Sequence, residues 1–149
     1  MENQQTIAAT EAAIIEDFKL LQSWDEDAKY EYIIDMGKNL PVLDEQHKLE
    51  ENKIKGCQST VWLVADYTDG KIYFGADSNS VIVKGLISML IRVLSGRTPD
   101  EIIAAKLEFI NEIGMRSHLA QTRSNGLLSM VKQMKNYALA YKIKNAAKV

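Results

Sequence analysis

The sequence has a single cysteine, Cys57, among its 149 residues. One thiol closes no disulfide within its own chain and builds no multi-cysteine metal site. Histidine is almost as scarce: His47 and His118 stand far apart, without metal-ligand spacing. Long apolar runs are missing too. The longest uncharged apolar stretches, Gly85 to Ile91 for example, are near seven residues, whereas a membrane helix takes about 20. The first twenty residues carry Glu2, Glu11, Glu16 and Asp17 without a basic start, which is not the pattern of a secretory leader. The eight glycines are scattered at turns and form no phosphate-cradling loop. A net charge of -2 gives no case for nucleic acid or a membrane surface as partner. The unpaired thiol, with no leader and no span, leads to the expectation of a reducing, cytoplasmic setting.

Acidic residues are absent from the last quarter of the sequence. Residues 113–149 hold seven bases (Arg116, Arg123, Lys132, Lys135, Lys142, Lys144, Lys148) and no acid, while residues 1–52 hold thirteen acids against four bases. Cations near the end of a final helix favour its dipole. The same asymmetry also suits a basic face that docks an acidic partner. Tyr137 and Tyr141 lie among these lysines, but at core-stripe spacing, which argues against a base-stacking surface. Hydrophobic residues at 46% and the chain length fit one domain spanning residues 1–149.

Apolar spacing predicts an amphipathic helix over 7–22, a second from Asp25 to Lys38, and a charged surface turn or short helix over 44–52. The pattern then shifts from period 3.6 to period 2. Thr60 to Tyr67 reads as a strand, Thr68-Asp69-Gly70 as a hairpin turn, and Lys71 to Asp77 as a half-buried strand with Ile72, Phe74 and Ala76 inward. Lys53-Ile54-Lys55 is expected to add a short third strand. Val81 to Leu94 is apolar nearly all round and belongs at the centre of the domain, with Gly96 as its C′ residue. Thr98-Pro99-Asp100-Glu101 is a helix start with a capping box. That helix runs to about Lys106, and a further turn or two follows over 108–114. Ser124 is the expected N-cap of a last helix whose core stripe is Leu127, Val131, Met134, Ala138 and Tyr141. The order predicts an α+β fold: a small antiparallel sheet of about three strands, with helices before and after it packed mainly on one face.

Cys57 sits in Lys55-Gly56-Cys57-Gln58-Ser59, in the loop between two of these strands. A free cysteine has a pKa near ~8.5, so a reactive one needs groups that stabilise its anion. Gly56 lets the backbone turn amides toward sulfur, Gln58 and Ser59 bring side-chain donors, and Lys53 and Lys55 bring positive charge. Arg123, just before the expected N-cap, brings a guanidinium to a helix N-terminus. The competing reading is a small buried hydrophobe, although the polar loop is not a core face. A Cys–His pair with His118 is a further possibility for general-base chemistry, and the six methionines read as core filler.

Three segments in register carry a resemblance. Gly56-Cys57-Gln58-Ser59-Thr60-Val61-Trp62, Asp77-Ser78-Asn79-Ser80-Val81-Ile82-Val83-Lys84-Gly85-Leu86 and Arg123-Ser124-Asn125-Gly126-Leu127 resemble the motifs of the SufE family of sulfur-acceptor proteins, over roughly residues 14–140. The early segment Tyr32 to Pro41 is similar as well. One departure is Ala120-Gln121-Thr122, where the family often has Thr-Pro-Ser. The resemblance implies a sulfur carrier. Cys57 would take persulfide sulfur from a cysteine desulfurase, stimulate that enzyme, and pass the sulfur to an iron–sulfur scaffold or another acceptor. Arg123, Gln58, Ser59 and Asp77 would support the site. The chain itself would need no cofactor or metal; pyridoxal phosphate would belong to the desulfurase. The alternatives are an iron–sulfur cluster scaffold, which one cysteine per chain disfavours, a purely regulatory binding protein, and an independent thiol hydrolase.

Overall fold

A computed structural model describes residues 6–22, 26–56, 59–107, 109–112 and 121–146. Helices α1 (Ile7–Gln22) and α2 (Glu26–Lys38) come first, followed by two 3₁₀ turns, Glu45–His47 and Glu50–Asn52. The hairpin β1 (Val61–Thr68) and β2 (Lys71–Ser78) is next. It is followed by α3 (Val81–Leu94), α4 (Pro99–Ala104), α5 (Phe109–Glu112) and α6 (Gln121–Ala146). The fold is α+β, as the element order implied.

The hairpin follows its sequence pattern closely. Asp69 (φ 52°) and Gly70 (φ 82°) both take left-handed backbone angles, the pairing that matches strand twist in a two-residue turn. The register runs from Thr68 opposite Lys71 to Val61 opposite Ser78. Ile72, Phe74 and Ala76 are buried, so the alternation placed the correct face inward. Helix α3 is the central element: Leu86, Ile87, Met89, Leu90, Val93 and Leu94 are all nearly inaccessible. The Ser80 hydroxyl caps it by accepting from Val83 N at 3.3 Å. The Thr98–Glu101 capping box forms as expected, and Gly96 adopts φ 78° beyond the end of α3.

Helices α2 and α3 approach at glycine. A Cβ on Gly85 would lie 2.0 Å from the Ile33 carbonyl oxygen, and one on Gly37 would lie 2.8 Å from Gly85 N. Neither gap admits a methyl group, so the pair of glycines sets the spacing between the two helices.

Among the described residues the sheet has two strands rather than about three. Lys53 makes only an isolated antiparallel bridge to Trp62, and the physical reason lies along the outer edge of β1. There Val61 O accepts from Ile54 N at 2.8 Å. The next two outward carbonyls are taken by side chains of α6: Tyr137 Oη donates to Leu63 O at 3.3 Å and Tyr141 Oη to Ala65 O at 3.1 Å. A longer third strand would have to displace both tyrosines. The outer edge of β2 is covered in turn by the turn after α3. Gly96 N donates to Ile72 O, Ile72 N to Arg97 O, and Phe74 N to Ser95 Oγ. Both edges are thereby closed to pairing with another chain. Replacing Tyr137 and Tyr141 together with phenylalanine should cost about 1 kcal/mol per lost hydrogen bond. Urea unfolding of single and double variants measures it, and near-wild-type stability of the double variant would contradict this role.

The last helix also departs from its expected start. It begins at Gln121, so Ser124 lies in its first turn and is not the N-cap. Gln121 and Thr122 are not helix breakers, and the helix includes both. Of the expected core stripe, Leu127, Met134 and Ala138 are buried, Val131 and Tyr141 are partly buried against the core, and Met130 is buried in addition. Two of the C-terminal lysines act inside the fold. Lys135 Nζ donates to Ile103 O and Ala105 O at the end of α4, where a cation complements the helix dipole. Lys142 Nζ meets Asp100 Oδ1 at 2.7 Å at the start of α4.

Candidate functional site

Cys57 and Gln58 lie outside the described residues, but the structure frames the loop that carries them. On the inbound side Ile54 is buried and bonded to Val61 O at 2.8 Å. Gly56 follows at φ 92°, and a Cβ built there would fall 2.6 Å from Ser129 Oγ on α6. Glycine is thus required twice at this position, for its backbone angle and for its close seat on the helix.

On the outbound side the segment Asp77-Ser78-Asn79-Ser80 acts as a clamp. Ser78 Oγ donates to Thr60 O at 2.8 Å, Asn79 N donates to the same oxygen at 3.3 Å, and Thr60 N donates to Asn79 Oδ1 at 3.2 Å. Ser78 Oγ also accepts from Ser80 N at 3.2 Å. Ser59, half-buried, lies just inside this clamp. The described residues on both sides of Cys57 and Gln58 are therefore held: Gly56 against α6, and Thr60 by Ser78 and Asn79.

Asp77 faces Trp62 across the hairpin, and its carboxylate meets Lys48 Nζ at 3.0 Å and Lys84 Nζ at 3.5 Å. Burial by itself would raise the Asp77 pKa. The bonds from Lys48 and from the Ser78 amide (2.8 Å), with the Lys84 charge, outweigh it and hold the carboxyl below its ordinary range. Lys48 also bonds Glu45 at 3.0 Å and lies 5.6 Å from the centre of the Trp62 ring. This network ties the first 3₁₀ turn to the end of β2 and the start of α3.

A depressed pKa in the folded state means that the Asp77 carboxylate stabilises the fold above the ordinary carboxylate range. That contribution is lost as pH falls through the folded-state value. Asp77→Asn should lower stability near neutral pH and leave a smaller difference from wild type near about pH 3. Urea midpoints at both pH values test this; equal differences at the two would contradict it.

Arg123 is the third residue of α6. A cation in the first turn opposes the helix dipole. His118 and the other residues from 113 to 120 lie outside the described residues, and His47 is exposed in the first 3₁₀ turn. Among the described residues no cluster of three metal-ligating side chains occurs, and no helix is long and apolar enough to cross a membrane.

A groove of about 410 Å³ opens directly beside the loop. One wall is Glu51, Lys53, Ile54 and Lys55; the other is Ser129, Lys132, Gln133 and Asn136 of α6. Sequence reasoning did not single out this second wall. Its signal was a polar stripe at 129, 132, 133 and 136, the spacing of one helix face opposite the apolar stripe. Lys48 was missed as well, because a lysine in a strongly charged segment carries no mark of its partner.

Comparison with known proteins adds four findings. A family model described as the SufE Fe-S metabolism associated domain matches residues 12–138. The chain is 38% identical over 130 residues to an uncharacterized SufE-like protein of Rhizobium meliloti, covering 84% of this chain and 91% of that one. It is 43% identical over 128 residues to SufE-like protein 1 of Arabidopsis thaliana, named chloroplastic/mitochondrial, covering 85% of this chain but only 34% of that longer protein. In fold it is similar to a hypothetical protein of Thermus thermophilus solved in solution, with a TM-score of 0.72 at 18% identity over 88% of this chain and 94% of the other.

Proposed function

Because the chain belongs to the SufE family, with a role in Fe–S metabolism, we propose that it is a sulfur carrier whose working atom is Cys57 Sγ. The observation that carries this reading is the lone thiol in a family-matched Gly-Cys-Gln-Ser loop tied down on both sides. The sulfur donor is a cysteine desulfurase that holds a persulfide on its own cysteine. The Cys57 thiolate attacks the outer sulfur of that persulfide. A new S–S bond forms at Cys57 as the donor's S–S bond breaks, and the electron pair leaves on the donor's cysteine sulfur. The transferred sulfur keeps its proton, and the exchange is redox-neutral. Surrender to an iron–sulfur scaffold, or to another acceptor thiolate, repeats the step with roles reversed.

A second cysteine in the chain would attack the Cys57 persulfide and close a disulfide, expelling the sulfur; the sequence avoids this. Arg123 is the proposed electrostatic support. It carries positive charge into the first turn of α6, where the dipole already disfavours a cation, and an anionic sulfur nearby would offset that cost. Gln58 and Ser59 are proposed donors to the anion, and Asp77 the brace of the clamp. The proposed setting is cytoplasmic. The test is the mass of Cys57 peptides after incubation with a desulfurase and free cysteine. One added sulfur atom at Cys57 is expected, and an unmodified peptide alongside an active desulfurase would refute the proposal.

A further inference from the structure

The groove beside the cysteine loop has a charge pattern the fold itself does not use. Lys135 and Lys142 of α6 are committed to the two ends of α4, and Lys53 pairs with Glu50 at 3.2 Å. Lys132 and Lys55, by contrast, are exposed on opposite walls of the groove and form no ion pair with a described residue. They stand where Gly56 seats against α6, one residue before Cys57. Gln133 and Asn136 extend the α6 wall with uncharged hydrogen-bonding groups. Such a slot complements an extended segment carrying carboxylates.

Building on the functional reading above, we propose that this groove docks an acidic segment of the sulfur-donating protein, its carboxylates held between Lys55 and Lys132. Docking here brings the donor to the inbound side of the cysteine loop and leaves the Ser78–Thr60 clamp untouched. Glu51 shares the wall with Lys55 and opposes the occupant, so its removal should have the opposite sign to removal of the lysines.

The test measures sulfur transfer from the cysteine desulfurase of the same genome as a function of carrier concentration, at low and at high salt. The double variant Lys55→Glu with Lys132→Glu should raise the half-saturating concentration about tenfold or more at low salt, and the gap should close as salt screens the pairing. Lys55→Arg with Lys132→Arg should behave as wild type, and Glu51→Gln should lower the half-saturating concentration. Lys19→Glu, the same change of charge on α1, should leave it unchanged. Lys132→Glu alone should also raise the half-saturating concentration, while its Cys57 reacts with a small neutral disulfide reagent as in the unaltered chain, which separates docking from the influence of Lys55 on the thiol. If the unaltered chain takes no sulfur, the functional reading fails and the docking site with it. If transfer occurs but the charge reversals leave its concentration and salt dependence unchanged, the docking site alone is wrong.

Discussion

Gly85→Ala is expected to destabilise the protein by about 3 kcal/mol or more, since overpacking a closed core contact costs this much or above. The new methyl would lie 2.0 Å from Ile33 O and 2.5 Å from Ile33 Cγ2. The first of these is backbone in the middle of α2, so no rotamer change relieves it. Only separation of α2 from α3 does, and α3 is the element on which the core is built. For a chain of this size the loss corresponds to a melting point lower by roughly 10 °C. Gly75→Ala is the natural control: its nearest neighbour is Val64 Cγ2 at 3.3 Å, a side-chain methyl that can yield. Thermal unfolding of the two variants compares them directly. A Gly85→Ala protein as stable as Gly75→Ala would mean that the helices are not held at glycine contact. The family-matched Lys84-Gly85-Leu86 segment would then have no packing explanation.

Cys57→Ser is expected to abolish sulfur loading and to return desulfurase turnover, read as alanine formation, to the rate of the desulfurase alone. Serine is close to cysteine in shape but is neither ionised near neutral pH nor able to form an S–S bond. The variant should fold and should still co-elute with the desulfurase, because the contacts proposed for docking are unchanged. That combination separates a carrier from a regulator. A regulator that works by docking would keep its stimulation without the thiol, and stimulation by Cys57→Ser equal to wild type would support it. An independent thiol hydrolase would show activity on a generic thioester with no desulfurase present.

Much of this architecture was legible in the residues because local chemistry and global fold agree there. Alternation of Ile72, Phe74 and Ala76 fixed the buried face of β2, and Asp69-Gly70 fixed the turn. The Thr98–Glu101 capping box fixed the start of α4 within a residue. The failures arose where a partner distant in sequence decides the outcome. A strand-like Lys53-Ile54-Lys55 stays a single bridge because Tyr137 and Tyr141, more than seventy residues beyond their β1 partners, occupy the carbonyls a strand would need. The start of α6 was placed too late because a good N-cap residue was read as a boundary, whereas serine is tolerated inside a first turn when nothing upstream breaks the helix. The candidate site was legible as a motif and not as a geometry. The sequence identifies Cys57, but not the seating of Gly56 on Ser129 or the hold of Ser78 and Asn79 on Thr60.

Those contacts give the family motifs separate physical duties. Gly56 lets the inbound end of the loop lie on α6. Ser78 and Asn79 close its outbound end. Asp77 joins the clamp to the Lys48 turn and to α3, and Gly85 sets the depth at which α3 meets α2.

A pulse of isotopically labelled cysteine, followed by an unlabelled chase, tests the relay most directly. Desulfurase, this protein and an apo iron–sulfur acceptor are mixed, and label is followed on Cys57 and on the acceptor over time. The expected result is label on Cys57 first, decaying at the rate at which it rises on the acceptor. Label that reaches the acceptor at full speed while Cys57 stays unlabelled would contradict the relay.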